Sequence, residues 1–433
     1  MKTILLSILS LMGFGSIASA QLTIDDCQQQ AKENYPLIRK YDLIRQSKNY
    51  NLSNVAKAWL PQFQLNARAT YQSEVTRIPI DFSQLGALGS LFPEIPTPTK
   101  DQYQATIEAS QVIWDSGAIR SQRKLAEAGS EVESQQLEVE MYALEDRVNQ
   151  LFFGILLCDA QLEQNRFLTD ELQRNVVRVQ SFMESGVANQ SDLDVVRIEQ
   201  LNAKQVRTQI QSARRAYVEM LGMMLGQELP ENRTLVKPDI NNASFALAGS
   251  TRNLRINRPE LQFFSAQTRL FDAQKALIKS SFLPKLGLFL QGGYGRPGLN
   301  MLSDEFDAFY IGGVRLSWNF GALYTQKNDL QKIEVNKNTV DTQKDLFLYN
   351  IRLSASRENQ ELHRLHALMQ DDDEIVSLRE NIRKSAEAKV ENGTLTVTDL
   401  MRELTQENIA RQTKTAHEID LLRAIYNLRN VTN

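Results

Sequence analysis

Only two cysteines, Cys27 and Cys158, occur in 433 residues. That is too few for a disulfide framework, and leaves open a single bridge between them. The three histidines offer no metal-ligand spacing. His363 and His366 share a helix face without a third ligand and read as solvated, and His417 stands alone. Neither charge sign is in excess, with 49 basic and 52 acidic residues, so no nucleic acid or other polyanion is expected as partner. No Ser/His/Asp or Cys/His set has supporting context and no carboxylate pair lies in an identifiable pocket, so neither an enzyme nor a cofactor is expected. Gly293, Gly295 and Gly298 satisfy G-x-G-x-x-G, but Pro297 and a loop follow where a nucleotide site needs a helix. Beyond the first 20 residues, no apolar run approaches the roughly 18 residues of a bilayer-spanning helix.

The opening MKTILLSILSLMGFGSIASAQ carries one lysine, an apolar core and the small residues Ala18, Ser19 and Ala20, the pattern of an export signal over 1–20. Folding arguments therefore start at Gln21. No cysteine follows the cut, which argues against a lipid anchor there.

What the chain does have is alternation. In QFQLNARATY, Phe63, Leu65, Ala67, Ala69 and Tyr71 alternate with Gln62, Gln64, Asn66, Arg68 and Thr70, a strand with two different solvents on its faces. The stretch returns later. Asn34, Pro36, Pro61 and Tyr71 overlay on Asn257, Pro259, Pro284 and Tyr294 at one constant offset, so PQFQLNARATY lies over PKLGLFLQGGY. At a shorter offset VIWDSGA lies over LSWNFGA, the difference being an extra loop between Gln72 and Asp101 with Pro79, Pro93, Pro96 and Pro98. Gly186, Asp192 and Leu193 likewise match Gly393, Asp399 and Leu400. The chain thus reads as two copies of a unit of about 200 residues: 21–225 and 258–433, with an irregular segment at 226–257 between them.

Each copy carries two strand-like segments, about 61–72 and 102–114 in the first, 284–295 and 307–318 in the second. Each is near the roughly 9–11 residues of a tilted membrane strand. Trp59, Trp114 and Trp318 stand at one end of these segments and Tyr71, Tyr103 and Tyr294 at the other, as in two aromatic girdles. The last segment drifts in phase near Gly312 and Gly313, where a bulge is expected.

Proline is missing from Gly117 to Gly186 and from Gly321 to Gly393, and both runs read as helices roughly 100 Å long. In the first, Met141, Leu144, Val148, Leu151, Ile155, Cys158, Leu162, Leu172, Val176, Val179 and Met183 form a heptad seam broken by Asn165 and Thr169. The second is more polar, with Arg379 and Arg383 in the places of Leu172 and Val176. Helical hairpins at 117–225 and 321–430 follow, and both chain ends are expected in a mid-height belt. The run Asp371, Asp372, Asp373, Glu374 reads as a solvated helix face.

Four strands cannot close in lipid, where each unpaired backbone group costs several kcal/mol. Two chains would give eight strands with a filled interior; three would give twelve with room for water. The polar set Gln62, Gln64, Asn66, Arg68, Thr70, Gln102, Gln104, Thr106 and Glu108 suits a wet lumen, which favours a homotrimer in outer-membrane lipid.

The duplicated NYP and NRPEL helix starts, the junctions VIWDSG and LSWNFG, and the turns GVANQSDL and GTLTVTDL together resemble the TolC family of outer-membrane efflux proteins. That resemblance implies a twelve-stranded membrane β-barrel joined to a long α-helical barrel that forms a coiled-coil periplasmic tunnel. It also implies a passive exit duct working with a periplasmic adaptor and an inner-membrane transporter of the RND, ABC or MFS class. In the family, hairpin tips close the tunnel and carboxylates past the second turn ring the constriction. Asp399 occupies one such place and Asp192 its counterpart in the first copy. One turn on, where a second acid is frequent, stands Arg402, spaced to pair with Asp399. Val390 and Leu395 replace the residues that brace the closed state. Helix capping is the more economical and a sufficient reason for both aspartates, a gating role for Asp399 can coexist with it, and Gly186 and Gly393 are expected to take positive φ at the tips. The alternative from another class is a soluble periplasmic coiled-coil adaptor or scaffold.

Overall fold

The computed structural model describes residues 22–77, 97–240 and 255–433. The leader, Pro79, Pro93 and Pro96 of the extra loop, and part of 226–257 lie outside the described residues. The elements run α1 (Ile24–Asn34), α2 (Arg39–Lys57), β1 (Gln62–Tyr71), β2 (Asp101–Trp114), α3 (Ala118–Glu184), α4 (Gln190–Leu225), α5 (Pro259–Ser281), β3 (Lys285–Arg296), β4 (Asp307–Ser317), α6 (Leu323–Glu391) and α7 (Val397–Thr432). Without proline to interrupt the backbone ladder, α3 continues for 67 residues and α6 for 69. The chain divides into two compact units, and each draws on both overlaid halves of the sequence.

One unit, Arg39–Leu137 with Glu260–Leu346, holds the sheet. Its order is β1-β2-β3-β4 and every pair is antiparallel. Leu65 stands opposite Ile107, Ala109 opposite Leu290 and Leu288 opposite Val314, which puts the apolar set on one face. Gln62, Gln64, Asn66, Arg68 and Thr70 stand opposite Ser110, Glu108, Thr106, Gln104 and Gln102, so the polar set shares the other.

No bulge occurs at Gly312 and Gly313, because β3 and β4 pair without a break from Lys285↔Ser317 to Gly295↔Asp307. The glycines there make room for neighbours. A Cβ on Gly313 would meet the Phe289 ring at 3.2 Å, and one on Gly293 would meet Phe309 at 2.3 Å. The irregularity lies instead between Val112 and Trp114, where Val112 faces Gly287 and Trp114 faces Leu286. That extra residue turns Trp114 from the Glu108 face onto the apolar face.

The junction VIWDSG is a helix cap. Asp115 is 5% exposed and accepts the backbone N–H groups of Gly117 at 2.9 Å and Ile119 at 2.5 Å. Ser116 is held at φ 55 with its hydroxyl donating to the Pro284 carbonyl at 2.5 Å. The overlaid LSWNFG does not repeat this, since Asn319 makes no side-chain cap bond. Asp115→Ala is therefore expected to lower stability by about 1–2 kcal/mol and Asn319→Ala by much less. Thermal melts of the two variants check this, and equal losses would refute the asymmetry.

The other unit contains α1, the rest of α3 and α6, α4 and α7. Its cores are strips along the helices. In one, Phe152, Phe153, Ile155 and Val148 of α3 pack with Leu221 and Leu225 of α4 and Leu422 of α7. This stretch buries more than the heptad seam, taking in Phe152, Phe153 and Leu156, because α1 adds Ile24, Cys27 and Ala31 to the same core. Cys27 lies in this core, and both it and Cys158 are free and buried. Burial pushes the Cys27 thiol up to about 12. The N-terminal segment bonds to 226–240 through Val236 N–H to the Leu22 carbonyl at 3.0 Å, and the C-terminal end to Asn257 through Thr432 at 2.8 Å.

Candidate functional site

Both helix tips turn through the same geometry. Gly186 has φ +75 and Gly393 φ +69. Val187 N–H bonds the Phe182 carbonyl at 2.8 Å and Gly186 N–H that of Met183 at 3.1 Å. Thr394 and Gly393 repeat the pattern with Lys389 at 2.9 Å and Val390 at 2.9 Å. This is the glycine-terminated helix end that satisfies the last carbonyls, and a side chain at either glycine would strain the backbone.

After each turn an N-cap follows. Asn189 and Asp192 exchange side-chain and backbone bonds, at 3.0 and 3.2 Å. Asp399 N–H donates to the Thr396 hydroxyl at 3.1 Å, and that hydroxyl donates to the Asp399 carboxylate at 2.7 Å. Asp399 also pairs with Arg402 at 3.1 Å, while Arg402 reaches Glu403 at 3.5 Å. The two tips lie together, and Phe182, Val187, Asn189, Val390, Thr396 and Asp399 line one cleft. Beneath it Leu172, Val176 and Val179 of α3 and Leu193 and Val196 of α4 pack with Val390, Val397, Leu400 and Leu404.

The sequence reading missed the charge cluster beside this core. Arg383 binds Glu407 at 2.5 Å and Glu387 at 2.7 Å, and lies 3.7 Å from Glu171. Arg411 binds Glu407 at 2.7 Å and Glu380 at 3.1 Å. Burial works against the Arg383 charge, and the surrounding carboxylates outweigh it, so its basicity is raised. The available signal was the replacement of seam apolar residues by Arg379 and Arg383, which is tolerable only if acids face them. Asp372 is likewise not solvated. It is buried and 2.8 Å from His417, which does not stand alone, and Asp373 is paired with Lys414. Across α6 and α7 the attraction is thus ionic in places where α3 and α4 are joined by apolar contact.

On the sheet, the aromatic positions fall on the apolar side or its ends. Trp59, Trp114, Trp318, Tyr71, Tyr103 and Tyr294 are all exposed in the single chain. On the polar face Glu108 pairs with Arg315 at 3.0 Å, and the Arg315 guanidinium lies 4.5 Å from the centre of the Phe289 ring. No described group of His, Cys, Asp and Glu could hold a metal ion.

Residues 27–227 match the family described as outer membrane efflux protein. No curated protein matches the chain by sequence. Among solved structures, the chain is similar to the outer-membrane channel OprN, with 12% identity, TM-score 0.67 and coverage of 94% of this chain and 89% of that one. It is similar to CusC at 14% identity and TM-score 0.68, covering 95% and 92%. To the outer membrane protein VceC from Vibrio cholerae it shows 12% identity and TM-score 0.65, covering 94% and 95%. Residues 27–227 thus carry the pattern of the outer membrane efflux protein family, and the chain shares the fold of these solved channels along nearly its whole length.

Proposed function

We propose that the protein is the outer-membrane exit duct of a tripartite efflux or secretion pump, with its helical part in the periplasm. The observation that carries this is the sheet. Four strands expose an apolar face, a polar face and two unpaired edges, and β1 is exposed at every residue. In lipid such edges must be paired, and three chains closing one twelve-stranded barrel pair them all. The apolar face then meets lipid, and Gln62, Gln64, Asn66, Arg68, Thr70, Gln102, Gln104, Thr106 and Glu108 meet water. The duct itself supplies no energy-coupling chemistry, so an adaptor and an inner-membrane transporter are its partners. The repeats 21–225 and 258–433 each give one hairpin tip, and Asp399, Arg402 and Asp192 stand where those tips would meet around the threefold axis.

Fractionated cells test the reading. The protein is expected in the outer membrane, extracted by detergent as a heat-sensitive trimer whose mass in native mass spectrometry is three chains. Release of a monomer with the periplasmic contents would instead support the soluble adaptor.

A further inference from the structure

The loop between β3 and β4, residues 297–306, is tied to the sheet rather than free of it. Arg296, the last residue of β3, donates from Nε to the Asp304 carbonyl at 2.8 Å and to its Oδ1 at 3.2 Å, and from Nη2 to its Oδ2 at 2.6 Å. Thr99, just before β2, donates its N–H to Oδ1 at 2.7 Å and its hydroxyl to the same oxygen at 3.0 Å. The Arg296 bond, then the Thr99 N–H, hold the Asp304 carboxyl down at about 2, so the tie stays charged at ordinary pH.

Two residues further, Phe306 stacks on Tyr294 with centroids 5.6 Å apart and on Tyr103 at 6.2 Å. Tyr294 stands opposite Ala105, and Tyr103 opposite Arg296, so both rings belong to the face of Ile107 and Leu290. The loop therefore continues the apolar face past the strand ends. Leu299, Met301 and Phe306 in it are 56%, 62% and 49% exposed. The loop has only one other charged residue, Glu305. Aliphatic and aromatic groups beside a neutralised ion pair suit the boundary between headgroups and acyl chains.

We infer that this loop is a latched apolar foot, with Leu299, Met301 and Phe306 seated in the outer-leaflet lipid beyond the barrel's tyrosine girdle. The inference rests on the outer-membrane reading above. Its occupant is lipid because the foot is continuous with the face that meets lipid.

Spin labels at Met301→Cys and, separately, Leu290→Cys test it in purified protein reconstituted into phosphatidylcholine and phosphatidylglycerol vesicles. The native thiols are buried, which keeps the label on the introduced cysteine. Both positions are expected to collide with oxygen more than with a water-soluble nickel chelate. Nickel-dominated collisions at 301, with lipid-like behaviour kept at 290, would overturn the foot alone. A water-like signal at both would overturn the barrel reading and the foot with it. Asp304→Asn combined with Met301→Cys is expected to raise nickel access at 301 several-fold, and no change would show that the Asp304 tie does not seat the loop.

Discussion

Leucine at Arg383 is expected to lower the unfolding free energy by about 3–5 kcal/mol, the cost of removing one partner from a buried ion pair. The Arg383 side chain is 13% exposed and that of Glu407 7%, so water reaches neither well. Removing the guanidinium leaves Glu171 and Glu387 without it and Glu407 with Arg411 alone. The remaining cations, Arg411 beside Glu407, Arg174 beside Glu171 and Arg178 at 3.5 Å from Glu387, place the loss toward the lower end of the range. Arg383→Leu with Glu407→Leu should recover much of the stability, since the second change removes the stranded charge as well. Urea denaturation followed by circular dichroism reads both variants. A single-variant loss below about 1 kcal/mol would put the cluster among exposed surface pairs.

Alanine at Arg402 carries the largest functional effect. At 3.1 Å its guanidinium offsets Asp399, and the pair is open to solvent, so its loss should change stability by under about 1 kcal/mol. In a trimer the same change unmasks three carboxylates around one axis, and unscreened like charges within a Debye length act together on a passing ion. Channels reconstituted in planar bilayers under a potassium chloride gradient should show a several-fold rise in cation over anion permeability for Arg402→Ala. Asp399→Ala should move the ratio the other way and alter block by divalent cations. If neither variant shifts the reversal potential, Asp399 serves the helix cap alone, a role the Thr396 bonds already supply.

The helical part was legible because its signals are local. A proline-free run bounded by glycines needs no distant partner to propagate, and the helices α3 and α6 occupy such runs. Alternation in QFQLNARATY likewise assigns each side chain to a face of β1 before any neighbour is known. The tip residues were legible for the same reason, since Asn189 with Asp192 and Thr396 with Asp399 are three apart and interact within one turn.

Less legible were features set by what comes opposite. Gly312 and Gly313 break the alternation of β4 in the sequence, yet the ladder stays regular because Leu290 and Phe289 from β3 approach where side chains are missing. Asp372 sits in an acidic run, the usual mark of a wet face, and is buried because His417 on another helix meets it. The spacing of Ile24, Cys27 and Ala31 marks one apolar face of α1, but nothing within those eleven residues names Phe153 as the group that covers it, so the burial of Cys27 was not legible.

By itself, then, the sequence determined the long helices, the glycine turns and the two-sided character of the strands, all consequences of backbone geometry and side-chain periodicity over a few residues. Only the tertiary structure decided which charges are buried, where the ladder shifts to turn Trp114, and how Asp304 ties the loop to Arg296 and Thr99. Those outcomes depend on the desolvation and packing of groups far apart in the chain, and periodicity within one segment contains no information about the segment that will lie against it.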